Sequence, residues 1–188
     1  FELRVFGPEK DLHSGVYGGV VHNPAIALAE LIAGMHDSRG RITLPGFYNS
    51  VQELNKEERD ELMRLPITDK HFLDETGVSM LYGEDGFTVN ERTGARPTLD
   101  VNGLHSGYIG EGSKTVIPAW AMAKISMRLV PDQDPNEVHK QLINYLVEHA
   151  PKDIRWELTV LAGGSASISD RNNPGVRAMS KALETVWG

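Results

Sequence analysis

No cysteine occurs anywhere in the 188 residues. Disulfide scaffolds, thiolate metal sites and cysteine nucleophiles are thereby excluded, and the absence fits a reducing, cytoplasmic compartment. Nor is there an apolar run near the length of a membrane span, a visible signal peptide or a cluster of Lys and Arg. With 26 acidic against 19 basic side chains the formal net charge is −7, so the basic footprint of a nucleic-acid binder is missing. Three catalytic or nucleotide-binding patterns are lacking as well. Neither H-E-x-x-H nor G-x-S-x-G occurs. "GEGSKT" places Lys114 before Thr115, but Ser113 stands where a phosphate loop requires glycine.

What is present is an ordinary folded composition, 40% hydrophobic and 24% charged, on a chain long enough for one domain plus part of another. Phe1, Leu3 and Val5 alternate with Glu2 and Arg4, the period of a strand. Asn23 and Pro24 open a helix whose apolar positions are Leu28, Leu31, Ile32 and Met35. Residues 41–97 change character: "LNKEERDELMRLP" and "DKHFLDETG" read as short helices, the second started by Thr68 and stopped by Gly77. Residues 98–103 read as a strand, followed by a glycine-rich loop, "LHSGYIGEGSKTVIP". "AWAMAKISMRLVP" is a long strand with Ala121, Ala123, Ile125, Met127 and Leu129 on one face. Asp134, Pro135 and Glu137 form a capping-box pattern for a helix with the stripe Val138, Leu142, Tyr145 and Leu146. A strand around Trp156 and Leu158 and a last helix capped by Asn173 complete the chain.

Without the insertion and the last helix the order is β-α-β-β-α-β. This predicts an α+β, ferredoxin-like fold: a four-stranded antiparallel sheet with two helices on one face, plus the helical insertion at about 41–97. Such a sheet has edges needing protection or a partner, which symmetric pairing of two copies would supply. Because the pattern is already mid-strand at Phe1, we expect the sequence to be a piece of a longer polypeptide. "LHSG" occurs twice, at 12–15 and 104–107; a four-residue match in differing surroundings reads first as chance, and the second reading puts both loops at the same end of the sheet.

The chemistry-bearing residues are few. The seven histidines (His13, His22, His36, His71, His105, His139 and His149) show no ligand spacing, and zinc needs at least three convergent ligands, so no metal site is expected within the chain. Ser14 and Ser106 each follow a His, but sequence neighbours point apart. For His13, a turn residue satisfied by local backbone is the simpler reading from chemistry alone; the other is a donor for a developing oxyanion. Arg128 at the end of its strand is either a solvated charge or a planar partner for a substrate carboxylate.

Three ordered stretches, "DLHSGVYGGVVHNP", "GEGSKTVIP" and "ISMRLVPDQDP", resemble the lid domain of the M20 family of zinc peptidases, nearest to its carnosinase-like dipeptidases, and the likeness covers essentially the whole chain. The resemblance implies a lid and dimerisation domain at 1–170, with 171–188 returning into a catalytic domain that carries two zinc ions and lies outside this sequence. No zinc ligand of the family has a counterpart here. His13 matches the lid histidine that reaches into the other subunit's site and polarises the scissile carbonyl. Thr115 matches a substrate-contacting residue across the same dimer, and Arg128 the arginine that holds the substrate's carboxylate. The implied partners are a second copy, as a homodimer, and a dipeptide or short peptide; neither nucleic acid nor membrane is implied. His22 reads as structural, and His105 has no assigned role. A non-catalytic ferredoxin-like binding module and the lid of an M20 amino-acid deacylase are the alternatives.

Overall fold

The computed structural model describes residues 1–188. Four strands, β1 (Glu2–Phe6), β3 (Thr98–Ser106), β5 (Trp120–Arg128) and β6 (Arg155–Thr159), form one antiparallel sheet in the order β3-β5-β1-β6. A two-residue pair, β2 (Leu12–His13) with β4 (Val116–Ile117), stands beside it. Helices α2 (Pro24–Gly34) and α6 (Pro135–His149) supply the other layer. The short helix α1 (Ser14–Tyr17) follows β2, while α3 (Lys56–Met63), α4 (Asp69–Thr76) and α5 (Val89–Gly94) make up the insertion, and α7 (Pro174–Trp187) ends the chain. The expected α+β, ferredoxin-like architecture is the one observed.

The core follows from the period-two strands meeting the helical stripes. Leu3, Val5, Ala121, Ala123 and Ile125 of the sheet pack with Ala27, Leu28 and Leu31 of α2 and with Val138, Leu142, Tyr145 and Leu146 of α6. One polar bond ties the two helices: the buried Tyr145 hydroxyl donates to Leu31 O at 2.9 Å. A Cβ at Gly34 would overlap that hydroxyl, so the glycine is what lets the ring lie so close. Tyr145→Phe leaves the packing and removes the bond, a loss of about 1 kcal/mol. In a chain of this length that lowers Tm by about 2–4 °C, measurable by thermal melting; an unchanged Tm would show that the bond contributes nothing.

The structure departs from the sequence reading in four places. The loop expected at 104–118 begins later, because Leu104, His105 and Ser106 continue β3 by pairing with Ala123, Met122 and Ala121. A bulge between Val101 and Gly103 absorbs the register change. The ladder to β5 therefore outweighs the glycine signal. Second, the insertion is not a separate appendage, since Ile42, Leu44 and Phe47 are buried in the main core. Third, it holds three helices rather than two: α5 is closed by a capping box between Thr88 and Glu91, as α3 is between Asn55 and Glu58. Fourth, Asp134 caps α6 through Asn136 N, but Glu137 turns to Lys140 at 2.5 Å, so no box forms. Thr68 starts α4 by position, without a side-chain bond, and Gly77 ends it with φ of 72°.

No helix is long and apolar enough to cross a membrane.

Candidate functional site

His13 is positioned by a short chain of local constraints. After β1 the backbone is fastened to the start of β5, with Gly7 N donating to Ala119 O (2.9 Å) and Asp11 Oδ1 accepting from Ala119 N (3.0 Å). Gly7 sits against Pro24, where a Cβ would come within 2.9 Å of the ring. The β2–β4 pairing sets Leu12 opposite Ile117 and His13 opposite Val116, and Ser14 N then donates to Thr115 O at 3.2 Å. The segments around His13 and Thr115, some hundred residues apart in sequence, are thus held side by side.

The two ring nitrogens of His13 have different partners, and that determines its tautomer. His13 is the N-cap of α1, and its Nδ1 accepts from Gly15 N at 3.0 Å. An accepting Nδ1 places the proton on Nε2, which lies 3.1 Å from Thr115 Oγ1. His13 therefore presents an Nε2–H donor, currently shared with a hydroxyl, on an exposed ring. Gly15 makes this possible, since a Cβ there would stand 2.8 Å from His13 Cε1. The local-backbone reading and the donor reading describe the same residue: one nitrogen is satisfied by the turn, and the other is thereby aimed outward.

Arg128 lies elsewhere. It is the last residue of β5, whose first residue, Trp120, adjoins the Ala119 clamp. Eight residues of strand separate the two ends by roughly 26 Å. Arg128 Nη2 donates to the carbonyl oxygens of Arg92 (2.5 Å) and Arg96 (3.4 Å). Together with His36, Tyr82, Thr98 and Asp100 it lines a cleft of about 310 Å³. That is at the lower end of the range for ligand pockets. Burial holds the His36 imidazole below its usual pKa, against a smaller upward pull from Asp100 and Asp37. Two larger clefts, near 400 Å³, contain none of His13, Thr115 and Arg128.

Behind Arg128 is a buried charge cluster that the sequence did not announce. Arg96 is 2% exposed and grips Glu84 with two bonds of 2.9 Å. Its guanidinium also lies over the rings of Phe87 (4.1 Å) and Tyr48 (5.2 Å). Burial works against the Arg96 charge, but the contacts with Glu84 outweigh it and the pKa is raised. Glu84 takes a further bond from Arg41 at 3.2 Å. Removing one member of such a pair typically costs on the order of 3–5 kcal/mol. No signal in "GEDGFTVNERTGARP" distinguishes these charges from solvated ones, because their partners come from separate segments. Asp11 was also missed; its place two residues before His13 was its only cue.

The other histidines are accounted for by neighbours. His22 Nδ1 sits 3.2 Å from both oxygens of Asp153, tying the start of α2 to the turn before β6. His149 stacks on Tyr145 at 4.3 Å. His105 packs against Trp120 at 5.3 Å, so the second "LHSG" does lie at the His13 end of the sheet. No three His, Asp or Glu side chains converge where they could hold a metal ion. The zinc pair implied by the resemblance finds no donor set among the side chains of this chain.

Residues 1–154 match the M20 peptidase dimerisation domain. Across 192 residues the chain is 30% identical to the Cys-Gly metallodipeptidase of Schizosaccharomyces pombe, matching 100% of this chain and 40% of that protein. The M20 family metallo-carboxypeptidase Sso-CP2 from Sulfolobus solfataricus superposes with a TM-score of 0.81 at 32% identity, over 100% of this chain and 43% of that one. Human carnosine dipeptidase 1 superposes with a TM-score of 0.81 at 26% identity, over 98% of this chain and 40% of that one. The chain spans about two fifths of the length of these relatives.

Proposed function

The chain belongs to the M20 peptidase dimerisation-domain family, and from that premise we propose that it is the dimerisation and lid domain of a metallopeptidase acting on dipeptides or short peptides. His13 donates Nε2–H to the scissile carbonyl oxygen as negative charge develops there. Thr115, its present partner, contacts the same substrate. Arg128 holds the substrate's C-terminal carboxylate. The metal-binding residues would lie in a separate catalytic domain, and metal bound there would supply an activated water and a Lewis acid. A lid that brings in the last donor couples closure to catalysis and excludes water. The lack of cysteine suits a cytoplasmic setting.

The observation that carries this reading is the separation of the two groups. A dipeptide spans about 7 Å, whereas Arg128 ends β5 and His13 is held on β2 beside the segment that leads into the other end of that strand, the two ends of β5 being roughly 26 Å apart. One substrate can meet both only if they come from different copies, so a symmetric homodimer has two composite sites. In this reading the shared lid runs from 1 to about 170. From 171 onward the chain turns to the catalytic domain. In support, α7 buries no residue and leaves Met179, Leu183 and Val186 exposed along one side.

A heterodimer tests this. Two differently tagged copies of the complete polypeptide, one His13→Ala and the other Arg128→Ala, are co-expressed and purified through both tags. Composite sites leave one of the two intact, giving about half of wild-type activity, although each variant homodimer is crippled. If one copy supplied both residues to one site, the heterodimer would be as inactive as its parents.

A further inference from the structure

We infer that the buried Arg96–Glu84 pair is a positioning device for Arg128, and that the helical insertion exists in part to aim that guanidinium. This rests on the carboxylate-binding role proposed for Arg128.

The coupling is direct in the chain. Arg96 and Pro97 lead immediately into β3, whose first residue, Thr98, is the strand partner of Arg128. Arg128 Nη2 donates to two carbonyl oxygens, those of Arg92 and Arg96. Nε and Nη1 make no hydrogen bond within the chain and remain open to a carboxylate. The oxygens that aim Arg128 thus belong to two residues whose own side chains are both anchored on Glu84. Arg96 grips its carboxylate, and Arg92 Nε donates to its backbone oxygen at 2.9 Å. Glu84 in turn is 8% exposed. α5, which carries Arg92, is fixed at its other end by Glu91, which closes the capping box and accepts from Arg59 of α3 at 2.8 Å.

An exposed arginine on a strand end ordinarily samples many rotamers, and ordering it costs binding free energy. Here two carbonyl acceptors restrict it before substrate arrives. A Lys at 128 could not reproduce this, because it lacks the planar set of donors that can serve backbone and ligand together.

The experiment measures, in the complete polypeptide, the ratio of kcat/KM for a dipeptide with a free carboxylate to that for its carboxamide. Glu84→Gln is expected to lower this ratio about tenfold, below the roughly hundredfold that misplacement of reacting groups can cost. In an Arg128→Ala background the same change should lower it no further. Tyr145→Phe, which weakens the core far from Arg128, should not move the ratio, so loss of stability alone does not mimic the effect. If Arg128→Ala lowers the ratio and Glu84→Gln does not, the positioning inference is overturned while the carboxylate role stands. If Arg128→Ala leaves the ratio intact, the carboxylate role fails and the inference with it. Should Glu84→Gln not fold, Arg92→Gln decides: it frees the α5 end while leaving the buried pair, and a retained ratio overturns the inference.

Discussion

His13→Ala in the complete polypeptide is expected to lower kcat by about 10²–10³-fold, the usual loss when one oxyanion donor is removed, with KM changed by less than about threefold. The reason is differential binding. A neutral carbonyl oxygen gains little from one donor, whereas the tetrahedral oxyanion gains much in a closed, water-poor site. The structure supplies the required atom, because Nδ1 accepts from Gly15 N and leaves the hydrogen on Nε2. Thr115 Oγ1, at 3.1 Å, holds that hydrogen in the absence of substrate, so Nε2 exchanges one oxygen partner for another rather than emerging from water. Steady-state kinetics checks this, and a kcat within threefold of wild type would remove His13 from the mechanism. His13→Gln, with a shorter amide donor, should recover only part of the loss.

Arg128→Ala acts on the other term. A charge-assisted hydrogen bond contributes about 1.5–3 kcal/mol, so KM for substrates with a free carboxylate should rise roughly 10- to 100-fold while kcat falls less. Dipeptidases and carboxypeptidases, the activities named for the S. pombe and Sulfolobus proteins, share a free carboxylate close to the scissile bond. A single arginine could therefore serve either substrate class. Carboxamide substrates test the assignment, since they already lack the charge and should be nearly indifferent to the substitution. Equal losses with acid and amide would show that Arg128 supports the fold instead.

Much of the architecture could be read from local chemistry. Phe1 to Val5 alternate, Asn23–Pro24 and Asp134–Pro135 open helices, Gly77 closes one, and Val138 to Leu146 make a stripe. Each depends on neighbours within a turn or two, so each survives translation from sequence to structure. Local cues misled where pairing across the sheet could compete. Leu104 to Ser106 sit in glycine-rich sequence yet join β3 because β5 offers them a ladder. Glu137 had the spacing of a capping box, but Lys140 was the nearer charge.

The site divides in the same way. Motif and resemblance single out His13 and Arg128; residue type alone reads them as a turn histidine and a solvated charge, because a side chain's chemistry depends on neighbours that a short stretch does not supply. The tautomer of His13, its pairing with Thr115, and the distance between the two ends of β5 had to await the folded chain. So did the burial of Arg96 on Glu84, and the anchoring of Arg128 on the insertion's carbonyl oxygens. All of these are contacts between segments far apart in sequence. Their geometry follows from strand order, register and the path of the insertion, and those are set by the packing of the whole core rather than by any short stretch of it.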